Sequence, residues 1–296
     1  MGLIVFSPSG AECSPEPESA RPESHTDFKI IAPLPAEKNA DYYDALADRA
    51  LEQHDWVSAC RTYDEALKAF PRHPRLRNNA AAVRDLWANA ALAKQQWDLA
   101  LEACDNALAA ELLPDHFRKK IVYIIQTGGR AYSREHDWVQ LEAWLTQARS
   151  RFPTLTAVKT LIPSLYTEAL AELPVTDDRF YIDEGSAVIR SYQSLRGAAQ
   201  PDALLVKDWC DRLLSDLQAR QEWERALYLL RTARELRPND IYFRSHEIAI
   251  WNIRAQEYIR SRQWEFATLI YEQALERFPR ETLFIHNLKY CQQKID

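Results

Sequence analysis

Glycine is scarce in this 296-residue chain, with six residues in all. Tight turns, β-bulges and phosphate-binding loops depend on glycine, so the count argues against sheet-rich and Rossmann-like architectures. Basic charge is not in excess either. Lys and Arg total 37 against 43 Asp and Glu, a formal net charge of −6, which lacks the basic footprint that nucleic-acid phosphates select. The five cysteines (Cys13, Cys60, Cys104, Cys210 and Cys291) are odd in number, far apart and without a C-x-x-C pair. Neither a disulfide framework nor a zinc site is indicated, and a reducing, cytoplasmic setting fits. No apolar run approaches the ~18 residues of a spanning helix, and the short run over 3–6 lacks the basic flank and length of a signal peptide. The chain reads as soluble, with a targeting or membrane segment upstream of Met1 left open.

Signatures of catalysis are missing as well. His246-Glu247 has no second histidine four residues on, so H-E-x-x-H fails. Gly128-Gly129-Arg130 is followed by no Gly-Lys-Ser or Gly-Lys-Thr, and no serine stands in a G-x-S-x-G elbow. The seven histidines are dispersed. No catalytic residue, metal site or cofactor is predicted.

What is present begins with a contrast. Over 1–37, Pro8, Pro15, Pro17, Pro22, Pro33 and Pro35 alternate with Ser and Glu. Such a composition buries too little apolar surface to offset its ordering entropy, and predicts a disordered leader. Beyond it tryptophan marks a period: Trp56, Trp97 and Trp138 are successively 41 residues apart, and so are Trp223 and Trp264. Each opens a similar segment. Trp56 is followed by Ala59, Tyr63, Ala66-Leu67 and Pro71, and Trp264 by Ala267, Tyr271, Ala274-Leu275 and Pro279. Trp223 leads to Ala226 and Pro238, Trp97 to Ala100, and Trp138 to Pro153. Offsets of three, four and seven put these residues on one helical face. Alanines there admit a neighbouring helix while Trp and Tyr fill the space on either side, and proline ends the helix. Asp55 and Asp137 are expected N-caps.

The pattern W-x-x-A-x-x-x-Y-x-x-A-L-x-x-x-P resembles the second helix of a tetratricopeptide repeat. Gly129 and Tyr132, ahead of Trp138, are similar to the small and aromatic positions of that family's first helix; Ala47, Ala88, Ala255 and Tyr258 occupy such positions elsewhere. The period here is longer than the family's ~34 residues. Seven extra residues make two helical turns, which add about 10 Å while nearly preserving the buried stripe. They are placed in the first helices, between Pro71 and Trp97 and between Pro238 and Trp264. Asn79, His246 and Asn287, eight residues after Pro71, Pro238 and Pro279, are expected to bond across neighbouring helices or cap them. No tryptophan keeps the period near Arg179, and Trp144 and Trp209 lie out of phase. Helices are expected over 157–173, despite Pro163, and 184–195, with an irregular loop over 174–178 between them.

The resemblance implies an all-α, right-handed α-solenoid of antiparallel helix pairs. About six pairs would fill 38–280, the fourth (156–200) degenerate, and 281–296 would cap the open end. It further implies a non-catalytic scaffold or adaptor that grips a partner peptide or helix in a concave groove lined by the first helices. Transferred position by position, that groove contains Asp41, Asp44, Asp48, Asp85, Asn89, Tyr123, Gln126, Arg130, Asp208, Asp211, Ser215, Asn252 and Gln256. Six aspartates against one arginine suggest an acidic groove and a basic or neutral protein partner. Neither nucleic acid nor membrane is expected as a partner. A self-assembling structural protein and a peptide-responsive regulator or accessory subunit of a larger complex are the alternatives.

Overall fold

The computed structural model describes residues 37–173 and 179–295. The expected leader, apart from residue 37, and the expected loop over 174–178 lie outside the described residues. Among those residues there are thirteen α-helices and no strand, with 82% of them helical. The helices are α1 (Ala40–Glu52), α2 (Trp56–Ala69), α3 (Pro74–Ala93), α4 (Trp97–Ala109), α5 (Pro114–Arg134), α6 (Trp138–Arg151) and α7 (Thr156–Glu172). After them come α8 (Phe180–Arg196), α9 (Ala203–Ala219), α10 (Trp223–Leu236), α11 (Ile241–Arg260), α12 (Trp264–Arg277) and α13 (Thr282–Ile295). Each packs chiefly on its sequence neighbours, except in the middle of the array.

The periodic tryptophans are the first residues of α2, α4, α6, α10 and α12. The residue two places earlier is left-handed in all five hairpins: His54, Gln95, His136, Gln221 and Arg262 have φ between 56° and 58°. The next amide then reaches back over the end of the first helix, as in Asp55 N to Ala50 O at 2.9 Å and Gln263 N to Tyr258 O at 2.8 Å. This closure satisfies carbonyls that the helix end would orphan, and places the tryptophan to start the return helix. Asp55 and Asp137 cap as expected, accepting from Ser58 N at 2.9 Å and Gln140 N at 3.0 Å. At the other end α2 and α12 stop one residue short of Phe70-Pro71 and Phe278-Pro279.

The small residues lie where the helices meet. Ala47, Ala88 and Ala255 of the first helices and Ala59, Ala100, Ala226 and Ala267 of the second are wholly buried. The longer first helices are α3, α5 and α11, with 20, 21 and 20 residues, whereas α2, α4, α6, α10 and α12 have 13 or 14.

In the middle the packing changes partner. The two helices expected over 157–173 and 184–195 are α7 and α8, but α7 lies mainly against α5, and α8 mainly against α6. Small residues explain both contacts. A Cβ on Gly129 of α5 would stand 2.9 Å from Leu165 of α7. On α8, Ser191 Oγ donates to Trp138 O at 3.1 Å, and Glu184 accepts from Trp138 Nε1 at 2.5 Å. The out-of-phase tryptophans fill spaces that glycines leave. Trp144 lies over Gly128 and donates Nε1 to Ile125 O at 3.0 Å. Trp209 of α9 lies so close to Gly185 of α8 that an added Cβ would be 2.2 Å from its Nε1.

Candidate partner-binding face

The candidate groove residues share a register on the first helices, and most are bonded to the next helix along. In α1, Asp44 accepts from Tyr63 OH at 3.0 Å and Asn79 Nδ2 at 2.9 Å, and its other oxygen meets Arg75 at 3.1 Å. Asp41 is also paired with Arg75. The same positions recur at the far end, where Asn252 Oδ1 accepts from Tyr271 OH at 2.9 Å and Asn287 Nδ2 at 3.1 Å. Gln256 donates to the Tyr271 hydroxyl at 3.3 Å. Between these ends Asp85 holds Lys120 at 2.5 Å and His116 at 2.6 Å, Asn89 bonds both Asp85 and Lys120, and Arg130 donates to Glu168 at 2.9 Å. Asp211 accepts from Tyr242 OH at 2.5 Å. Gln126 is half-buried on α5. Asn79 and Asn287 thus bond across helices as expected, whereas His246 bonds the carbonyl of Tyr242 one turn back in its own helix.

This ladder changes the charge of the face. Six aspartates against one arginine is the tally of the transferred positions alone. Arg75 of α3 and Lys120 and His116 of α5 enter from the following first helix and bond three of those aspartates. Burial pushes the Asp85 carboxyl up, but hydrogen bonds from Lys120 and His116 outweigh it and hold the group below the usual carboxylate range. Asp48 goes the other way: burial raises it first, then the nearby Asp44 and Glu52. A signal for Lys120 exists in the sequence, since it stands 23 residues after Trp97 as Asn79 does after Trp56 and Asn287 after Trp264. Leu112 replaces the proline that marks that register elsewhere.

The ladder is interrupted between α7 and α9. There a cleft of about 320 Å³ opens, lined by Pro163, Thr167 and Leu170 of α7, Tyr192 of α8, and Leu204, Asp208 and Trp209 of α9. Its walls are mainly apolar. The two first helices are tied at one end, where Arg212 donates to the carbonyls of Leu170 and Ala171 at the close of α7, the latter at 2.9 Å. Asp202 caps α9 by accepting from Leu204 N at 3.0 Å and Leu205 N at 3.3 Å, and meets Arg196 at 2.7 Å. Burial raises its carboxyl, yet Arg196 and the two amides prevail and keep it low. Leu204 is 69% exposed at the mouth, and Asp208 is exposed beside it. The cleft therefore offers an apolar slot with carboxylates at its rim. Sequence reasoning placed Asp208 on this face but not the cleft, which exists because α7 turns toward α5.

Burial pushes the thiols of Cys60, Cys104 and Cys210 up to about 11, 12 and 12, so none is a thiolate near neutral pH. Among the described residues no group of three or more His, Cys, Asp or Glu could hold a metal ion, and no helix is long and apolar enough to cross a membrane.

No family model and no curated protein matches the chain. Among solved structures it is similar to a TPR repeats protein from Bacteroides fragilis, at 13% identity over 73% of this chain and all of that one, with a TM-score of 0.29. It is also similar to the TPR2AB domain of yeast Sti1 in a pHSP90 complex, at 13% identity, 86% and 97% coverage and a TM-score of 0.21. A third likeness is to an APC/C hetero-tetramer of Cut9 and Hcn1, at 12% identity, 86% and 56% coverage and a TM-score of 0.19. The class assignment rests on the helix pairs themselves: the fold is an all-α, tetratricopeptide-like array. In α2, α10 and α12 the return helix opens on a tryptophan, buries an alanine three residues on and ends before a proline.

Proposed function

We propose that the chain is a non-catalytic scaffold that holds a segment of a partner protein on the face of its first helices, anchored in the cleft between α7 and α9. The supporting observation is that cleft. Elsewhere the first helices bond one another side chain to side chain, whereas here apolar Pro163, Leu170, Leu204 and Trp209 line open space. Concave, mostly apolar pockets with a few polar groups at the rim are where small segments bind. The exposed carboxylate of Asp208 suits a partner residue that is bulky and apolar, flanked by Lys or Arg. The basic partner inferred from the sequence is thereby narrowed to a place, with Asp208 as its counter-charge; Asp48, Asp85, Asn89, Gln126, Arg130, Asp211, Asn252 and Gln256 flank it as the rest of the groove.

Peptide display selected against the full chain tests this. Enriched sequences should pair a large apolar residue with an adjacent Lys or Arg, and binding should be lost when Thr167→Arg and Leu204→Arg fill the cleft from its exposed rim. Equal binding to wild type and filled variant would remove the cleft from the account. A second reading, self-association, is favoured by the exposed apolar residues Phe266, Leu269, Leu283, Tyr290 and Ile295 of α12 and α13, each 40–55% accessible. Light scattering at rising concentration would show it as growing mass, and a constant monomer mass would exclude it.

A further inference from the structure

A second pocket, of about 350 Å³, opens where α10 and α12 end and α11 begins, lined by Arg234, Arg244, Arg277, Phe278, Pro279 and Arg280. Beneath it is Glu247, wholly buried on α11. Its carboxylate meets Arg234 at 2.6 Å, Arg277 at 3.4 Å and Arg231 at 3.8 Å. A buried carboxylate needs a cation, and Arg234 and Arg277 already supply two. Arg244 and Arg280 stand outside that requirement. Arg244 reaches Glu281 at 3.2 Å, and its guanidinium carbon lies 5.5 Å from the centre of the Phe278 ring, as does that of Arg234. Two guanidiniums thus share one ring, and Arg280 is exposed at the rim.

Five arginines face two carboxylates here, in a chain whose net charge is −6. Such a local reversal costs like-charge repulsion that a bound anion would relieve. Guanidinium forks match tetrahedral oxyanions through paired N–H donors, and Arg is less strongly hydrated than Lys. From this geometry we infer that the pocket is a site for a phosphate monoester, carried either by a phosphorylated side chain of a partner or by a small phosphate ester. It shares no residue with the α7–α9 cleft and stands or falls independently of the partner bound there.

The test is a titration of the full chain with inorganic phosphate and with a phosphothreonine peptide, each against chloride at matched ionic strength, read by calorimetry and by arginine Nε–H NMR signals. Phosphate should bind and shift the signals of Arg234, Arg244 and Arg277. The double variant Arg244→Ala and Arg280→Ala, which leaves the partners of Glu247 in place, should bind at least about tenfold more weakly, while Arg220→Ala should match wild type. Arg244→Lys with Arg280→Lys keeps the charge and should recover part of the loss. A peptide that binds more tightly than phosphate assigns the ester to a partner chain; the reverse order assigns it to a small molecule. Phosphate binding no stronger than chloride, or equal affinity in the double alanine variant, would overturn the site.

Discussion

Gly185→Ala probes the contact between α8 and α9 at Trp209, which lines one wall of the cleft. The added methyl would lie 2.2 Å from Trp209 Nε1 and 2.7 Å from its Cε2. Both are closer than non-bonded atoms approach, and the obstacle is a rigid indole only 2% exposed. Overpacking of this kind costs about 3 kcal/mol at the upper end, and the better helix propensity of alanine returns about 1 kcal/mol. A net loss of about 2 kcal/mol is expected. Gly129→Ala is the control: its methyl meets the end of the Leu165 side chain at 2.9 Å, and a leucine can rotate away, so propensity and crowding should nearly cancel. Urea unfolding followed by helical circular dichroism compares the two, and peptide binding measures the displaced wall. If Gly185→Ala is as stable as wild type, or no worse than Gly129→Ala, the glycine–tryptophan contact does not hold α8 and α9 together.

Replacing Glu247 by Gln leaves Arg231, Arg234 and Arg277, which are partly solvated, around an uncharged buried group, and the loss of charge-assisted bonds should cost about 1.5–3 kcal/mol in urea unfolding. His54→Gly and Gln95→Gly relieve left-handed backbone at φ of 56°, so each should raise stability by about 1 kcal/mol in thermal melts. Asp85 and Asp202 are held below their ordinary value of 3.8, so the stability they contribute is complete above that pH and lost as pH falls through their lowered values. Acid titration of wild type should show this loss, and Asp85→Asn with Asp202→Asn should flatten it.

The helix pairs were legible because their signals are local. Trp56, Ala59, Tyr63 and Pro71 lie within one helix and its stop, and the recurrence of the tryptophan marks where α2, α4, α6, α10 and α12 start, though not α8. The bonding of the candidate groove was legible only in part. Asn79 could be read as a cross-helix partner, but Arg75, His116 and Lys120, which come from the next first helix, were missed, and the one signal for Lys120 lacks the proline that marks its register. The cleft was hidden for a different reason. It depends on α7 leaning to α5 through Gly129 and Leu165 while α9 is held by Gly185 and Trp209, pairings that follow no period. The arginine pocket likewise gathers residues from three helices and a turn.

The most direct measurement of the central proposal is amide hydrogen exchange on the full chain, with and without a selected peptide. Scaffolding through the cleft predicts slower exchange in α7 after Pro163 and in α9 around Leu204–Arg212, with the second helices α4 and α6 unchanged. Protection confined to α12 and α13, or absent from α7 and α9, would contradict it.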